Sequence, residues 1–142
     1  MVMSYTFDGF ARKVSKAAPE IKARVEVVLH QRMEATKALA KSFPGEYQDG
    51  WADLADATVN KQHGDSPLLR KGAYRDSIQT RYTPGLRGVL YSNHPGARLM
   101  ELGGVGGNGA HVPPRPVITL AARRMERTFL AELRAALVLP ME

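Results

Sequence analysis

Two amphipathic segments near the ends of the chain constrain its fold more than any other feature. Between residues 7 and 42, and again from Val117 to about Pro140, apolar residues recur at steps of three and four, which indicates one buried face of a helix. Pro19 leaves two alternatives for the first segment, one long helix or a helix kinked near that proline. The predicted stripes are Phe10, Val14, Ile21, Val25 and Leu29, and Leu120, Phe129, Leu133 and Leu137.

Short extended segments lie between the two predicted helices. Ile78, Thr80 and Tyr82 alternate with polar residues, Thr83-Pro84-Gly85 is a turn, and residues 86–91 resume extended chain. This order predicts a β-hairpin. We therefore expect one α+β domain over residues 1–142, with a small antiparallel β-sheet packed against a long N-terminal helix and a C-terminal helix.

The composition narrows the class of protein. The 142 residues include no cysteine, which excludes disulfides and thiolate metal sites. No apolar run approaches the ~20 residues of a membrane span, and the first residues lack the layout of a signal peptide. The net charge is +6. Because the basic residues are spread over both predicted helices, they indicate helix faces exposed to solvent. The alternative is a basic surface that contacts DNA or an acidic protein rim.

Two sequence patterns that could indicate an enzyme lack the neighbouring residues that such sites require. Gly104 to Gly109 match the G-x-G-x-x-G spacing, but the prolines that follow prevent a helix from starting where a dinucleotide needs one. The four histidines lack metal-ligand spacing. We therefore predict no catalytic residue, cofactor or metal. Residues 103–111 are predicted to be too flexible for regular structure, and Trp51 is predicted to anchor the connecting region to the core.

Four short motifs follow one another in the second part of the chain. They are W-A-D-L-A-D-A-T at 51–58, L-L-R-K-G-A-Y-R-D-S-I at 68–78, L-M-E-L-G-G at 99–104 and V-P-P-R-P at 112–116. In this order they resemble the tail-completion, or neck, proteins of long-tailed phages, including the virion-morphogenesis proteins of Mu-like phages. The matching positions are Trp51, Leu54, Thr58, Leu68, Leu69, Gly72, Ser77, Ile78, Glu101-Leu102-Gly103 and Pro113-Pro114-Arg115-Pro116. The chain departs from the family at His94-Pro95-Gly96-Ala97.

The resemblance implies a structural virion protein rather than an enzyme. Proteins of this family form closed rings, often sixfold, that join head to tail or complete the tail. The implied partners are further copies of the chain, portal-side connector proteins, tail tube or terminator proteins, and DNA in the lumen, with no membrane. The implied location is the neck or tail of the virion, assembled in the cytoplasm of a bacterial host. A basic, sequence-independent DNA-binding module without a virion role is the alternative.

Candidate contact residues lie in the last two motifs and in the glycine-rich segment between them. The residues predicted to contact neighbouring subunits or neck partners are Arg115, Pro114, Pro116, Glu101, Gly104, Gly106, Gly107 and Gly109. Because Arg115 stands between two prolines, its backbone is held extended. A guanidinium suits bidentate pairing with a carboxylate, so we predict that Arg115 pairs with an acidic residue of its own chain or of a neighbour, with Glu101 as the candidate.

Overall fold

The computed structural model describes residues 7–62 and 64–138, and within these ranges it leaves out the side chains of Phe7 and Phe10. The predicted burial of Phe10 therefore lies outside the described residues. The elements in chain order are α1 (Phe7–Ser42), α2 (Asp56–Gln62), α3 (Ala73–Asp76), β1 (Ile78–Thr83), β2 (Arg87–Ser92), α4 (Ala97–Leu102), β3 (Gly104–Val105), β4 (His111–Val112) and α5 (Ile118–Ala136). The predicted α+β class is confirmed.

The two long helices pack antiparallel to each other. The Arg124 guanidinium lies 4.9 Å from the ring centre of Phe43, near the end of α1. At the other end of α5, Arg24 Nη1 donates to the carbonyl oxygen of Val138 at 3.4 Å. Arg32 Nε and Glu132 Oε2 form an ion pair at 3.0 Å between these two points. The α5 helix therefore covers only the second half of α1.

The predicted burial of the two stripes fails at Val14 and at Leu137. The α1 helix contains 36 residues and continues through Pro19, whereas α5 contains 19. Leu29 is buried as predicted, but Val14 is 39% exposed and Leu137 is 57% exposed. The prediction that both stripes are buried along their whole length is therefore wrong at these two positions. Val14 lies beyond the end of α5, and Leu137 caps the C-terminal end of α5 with its side chain exposed.

The predicted hairpin is confirmed. Strands β1 and β2 are antiparallel neighbours, with Ile78 opposite Ser92 and Thr83 opposite Arg87. Ile78 is fully buried, and both strands pack against α1. The hairpin also bonds to that helix through Glu34, whose carboxylate accepts hydrogen bonds from Thr80 Oγ1 at 2.5 Å and from the Tyr82 hydroxyl at 2.9 Å.

The core draws residues from α1, α3, β1 and α5 and from the segments that connect the elements. It consists of Ala40, Phe43, Trp51, Tyr74, Ile78, Val117 and Ala121. Trp51 is 8% exposed, so its predicted role as the anchor of the connecting region is confirmed. Over residues 7–62 and 64–138, no helix has both the length and the apolar character needed to cross a membrane.

Candidate functional site

Glu101, in the last turn of α4, caps a different helix. Its Oε1 atom accepts hydrogen bonds from the backbone N–H groups of Val117 at 2.7 Å and Ile118 at 2.6 Å, and its Oε2 atom accepts one from Thr119 Oγ1 at 3.1 Å. The first N–H groups of a helix have no partner within the helix and carry partial positive charge. The Glu101 carboxylate therefore supplies to α5 the acceptor that its own first residues lack.

Tyr74 completes the environment of this carboxylate. The Tyr74 hydroxyl donates to Glu101 Oε1 at 3.2 Å, and the Tyr74 side chain is 2% exposed. Burial in the first place, and the neighbouring Glu101 charge in the second, raise the pKa of the Tyr74 phenol. The hydroxyl therefore stays protonated near neutral pH and remains a donor to Glu101.

Arg115 does not pair with Glu101, so that part of the prediction is wrong. The Arg115 side chain donates from Nε and Nη2 to the carbonyl oxygen of Ala52, at 3.0 and 2.8 Å, and from Nη2 to the carbonyl oxygen of Asp53 at 2.8 Å. Its own N–H donates to the carbonyl oxygen of Met100 at 2.7 Å. The reason is geometric, because the Glu101 carboxylate is already occupied by the start of α5. Arg115 is 6% exposed and ties residues 52–53 to α4.

Gly103 allows these two contacts to form side by side. Its φ of 69° lies in a region that favours glycine. A Cβ atom there would lie 2.8 Å from the nitrogen of Pro114 and 2.9 Å from the carbonyl oxygen of Val112. We call Glu101, Gly103 and Arg115 the clasp, because together they hold α4, the start of α5 and residues 52–53. Of the neighbouring prolines, Pro114 is exposed and Pro116 is half-buried.

The glycine-rich segment is more regular than predicted. Gly104 pairs with Val112 and Val105 with His111, so this segment is a short second hairpin, and the prediction of no regular structure is wrong. Within its turn, Gly106 N–H donates to the carbonyl oxygen of Ala110 at 2.8 Å. Backbone pairing between β3 and β4 therefore orders the segment despite its glycine content.

The remaining glycines of this hairpin are placed unequally. Gly104 and Gly106 are half-buried, whereas Gly107 and Gly109 are exposed in the turn. The segment joins one strand to another, and the next helix begins only at Ile118, where Glu101 occupies the free N–H groups. A dinucleotide pyrophosphate needs those N–H groups, so this geometry does not build a nucleotide site.

An open cleft of about 840 Å³ lies between the connecting segment and α4. Its walls are largely apolar, and its ionisable side chains lie on several elements. The apolar wall residues include Leu54, Leu68, Leu69, Leu99, Met100 and Val112, and the ionisable ones are Asp53, Arg70, Lys71, His94, His111 and Arg115. Across the part of the chain that the structure describes, no group of three or more His, Cys, Asp or Glu side chains could hold a metal ion. The cleft is therefore an open, largely apolar groove with charged side chains at several points of its lining.

Two surfaces that the sequence reasoning missed lie at opposite ends of α1. Residues 7–23, which we call the arm, extend beyond α5 and carry four basic and two acidic residues, a net charge of +2. Residues 45–65, which we call the acidic segment, carry five acidic residues and one basic residue, a net charge of −4. The five acidic residues, Glu46, Asp49, Asp53, Asp56 and Asp65, are all exposed. Counting charge by segment rather than over the whole chain would have found this separation.

The end of α4 and the second hairpin each present one exposed apolar side chain. Leu102 is 67% exposed and Val105 is 69% exposed, and both lie beside the clasp. Large apolar side chains that share one surface typically mark a contact site. The clasp thus supports an exposed apolar surface although Glu101 and Arg115 are themselves engaged within the chain.

The chain matches no protein-family model, no curated protein and no solved structure. The predicted contact residues therefore have to be judged from geometry alone. The structure brings Glu101, Arg115, Pro114 and Pro116 together at the start of α5, and it places the glycines on the adjacent hairpin. Their assignment to a subunit interface stays a prediction.

Proposed function

We propose that this protein is a structural subunit of a phage neck, which forms a ring that joins the head to the tail or completes the tail. The observation that carries the proposal is the ordered series of motifs at 51–58, 68–78, 99–104 and 112–116. Physical support comes from how those motifs are used. The last two motifs supply Glu101, Gly103 and Arg115, whose contacts within the chain hold α4 and α5 in place. These contacts are structural, and they leave no free nucleophile or acid–base pair among the three residues.

The surface is compatible with a ring subunit. A closed ring built by rotation uses two different patches on each subunit. The exposed side chains of Leu102 and Val105 and the exposed stripe of the arm lie at opposite ends of α5, about 28 Å apart along that helix. Two separated patches favour head-to-tail association over a single self-complementary contact.

Genetic removal tests this function in the phage or prophage that encodes the chain. We expect a deletion to leave DNA-filled heads and complete tails that do not join, or tails of abnormal length, in electron micrographs of lysates. Supplying the wild-type chain from a plasmid restores infectious particles. Normal joined virions from the deletion strain would contradict the proposal.

The second candidate is a sequence-independent DNA-binding module, and the basic side chains of α1 and α5 favour it. We expect such a module to bind any duplex, with an affinity that falls steeply as salt rises. Titration of a random duplex at about 50 and 200 mM NaCl, the range over which such binding weakens strongly, measures this. DNA binding together with normal virions from the deletion strain would favour this candidate over the neck protein.

A further inference from the structure

We infer that the arm of one copy binds the acidic segment and adjoining cleft of a second copy, so that copies associate head to tail. The first observation is the opposite charge of the two surfaces, +2 for the arm and −4 for the acidic segment. Opposite charges on two surfaces of one chain become an interface only where those surfaces can meet.

The two surfaces cannot meet within one molecule. The arm is the beginning of α1, and the acidic segment starts three residues after the end of that helix. From Val14 to Ser42 a continuous helix rises about 42 Å. Trp51 is buried in the core, and Arg115 holds the carbonyl groups of residues 52–53, so the acidic segment stays at the far end. The charges of the arm and those of the acidic segment can therefore meet each other only between copies.

Apolar complementarity accompanies the charges. Along the arm, Val14, Ala18 and Ile21 follow the helical spacing of the stripe that α5 covers further on, and Val14 is 39% exposed. At the other end, Leu54 belongs both to the acidic segment and to the wall of the cleft. An amphipathic helix that lays its apolar face into a groove is a recurring mode of recognition. The arm has the chemistry of such a helix, and the cleft has that of such a groove.

Charges flank the apolar surface on both sides of the proposed contact. At 100° per residue, Lys13 and Lys22 lie on opposite sides of the stripe that contains Val14 and Ile21. Asp53 borders the cleft, and Asp49 precedes it on the same exposed segment. A helix seated on the cleft would therefore bring lysines near these carboxylates. Arg70 and Lys71 also line the cleft, and the arm carries two residues of opposite charge, Asp8 and Glu20.

This contact joins two different patches, so it repeats from copy to copy until a ring closes or a filament forms. The inference rests on the proposed neck function only for the closure of the ring. The association itself depends on the two surfaces alone.

Three variants of the full chain test the inference by sedimentation velocity after nuclease treatment. The arm variant is Lys13→Glu with Lys22→Glu, and the segment variant is Asp49→Lys with Asp53→Lys. The control is Arg123→Glu with Arg127→Glu, which changes the net charge as much as the arm variant does at exposed positions of α5. Measurements at about 50 and 500 mM NaCl compare weak and strong screening.

We expect the wild type and the control to associate at low salt and to dissociate at high salt. The arm variant and the segment variant should each associate about tenfold more weakly or worse, because two attractive pairs become repulsive. An equimolar mixture of these two variants should recover association, since every contact between unlike copies is again complementary. A single chain that carries all four substitutions should recover it as well.

Other outcomes overturn the inference. If only the arm variant loses association and the mixture does not recover it, the arm pairs with a second arm instead. If the wild type stays a monomer up to about 1 mM, the contact is too weak to build an assembly. If the arm and segment variants each lose association and their mixture recovers it, but the deletion strain makes normal virions, the inference holds and the neck function fails. If the arm variant restores normal virions and associates as the wild type does, the neck function holds and the inference fails.

Discussion

The clasp and the arm use polar side chains in opposite ways. In the clasp, Glu101 and Arg115 are enclosed by backbone groups, and Arg115 is 6% exposed. In the arm, charged side chains stand on a helix that extends past its partner, and the ion pair of Arg12 with Asp8 has both side chains about 80% exposed. The clasp carries residues of the motifs at 99–104 and 112–116, and the arm carries none. The motif residues of the clasp hold the fold, whereas the exposed surface of the arm lies outside the motifs.

The largest expected effect is loss of the Arg115 guanidinium. Arg115→Ala leaves the carbonyl groups of Ala52 and Asp53 without the donors that now satisfy them. The Arg115 side chain is 6% exposed and supplies three charge-assisted hydrogen bonds, so we expect the free energy of unfolding to fall by about 3 kcal/mol. Urea denaturation measures this, with the exposed Arg87→Ala as the control. A loss as small as that of the control would show that Arg115 is not part of the scaffold.

Gly103 tests the backbone of the same region. Gly103→Ala places a Cβ atom 2.8 Å from the Pro114 nitrogen, at a φ of 69°. Neither backbone can yield without disturbing the clasp, so we expect a loss of about 2–3 kcal/mol. Gly107→Ala is the matched control, because nothing lies within 4 Å of a Cβ at that glycine. Equal unfolding midpoints for the two variants would contradict the close approach.

Glu101→Gln separates charge from shape. The amide oxygen can still accept hydrogen bonds from Val117 and Ile118, but the negative charge at the start of α5 is lost. We expect a loss of about 1 kcal/mol, which is the scale of a charge at a helix end. Thermal unfolding at low and high salt measures it. An increase in stability would mean that the carboxylate costs more to bury than it contributes.

Much of the fold was predictable because it depends on local sequence. The helix spacing of residues 7–42, the alternation from Ile78 and the turn at Thr83-Pro84-Gly85 each indicate an element that the structure contains. The length over which α5 covers α1 was not predictable, because it depends on where two distant segments meet. Exposure of Val14 follows from that overlap.

The site was harder to predict than the fold. The extended backbone of Arg115 follows from its neighbouring prolines, but its acceptors are carbonyl groups more than 60 positions away. Every residue has a backbone carbonyl group, so the sequence does not show which one will accept a hydrogen bond. A carboxylate side chain was therefore predicted as the partner. The pairing of β3 with β4 was not predicted for a similar reason, because a strand of two residues is too short to show the alternation of apolar and polar residues that indicates a strand.

Glu34 offers a smaller test on the covered half of α1. Hydrogen bonds from Lys37 first, and then from Thr80 and Tyr82, lower the pKa of Glu34 from 4.5 to about 2. A lowered pKa in the folded state means that this contribution is complete above about pH 4.5 and is lost as the pH falls toward 2. As the pH falls over that window, we expect the free energy of unfolding to decrease less for Glu34→Gln than for the wild type. Its side chain is 48% exposed, so solvent screening keeps the effect below those of the clasp. Identical acid titrations of the two proteins would contradict it.

The smallest expected effect on stability belongs to the arm. Val14→Asp adds a charge to a side chain that is already 39% exposed, on a part of α1 that lies beyond α5. Surface changes of this kind stay within about 0.5 kcal/mol, so urea denaturation should barely distinguish the variant from the wild type. Leu29→Asp, on the same helix but 9% exposed, should instead lose most of its folded population, because an unpaired charge would be buried. Comparable losses for the two variants would mean that the arm is packed as firmly as the rest of α1. If Val14→Asp keeps its stability but associates less, the arm is a surface for contacts between molecules.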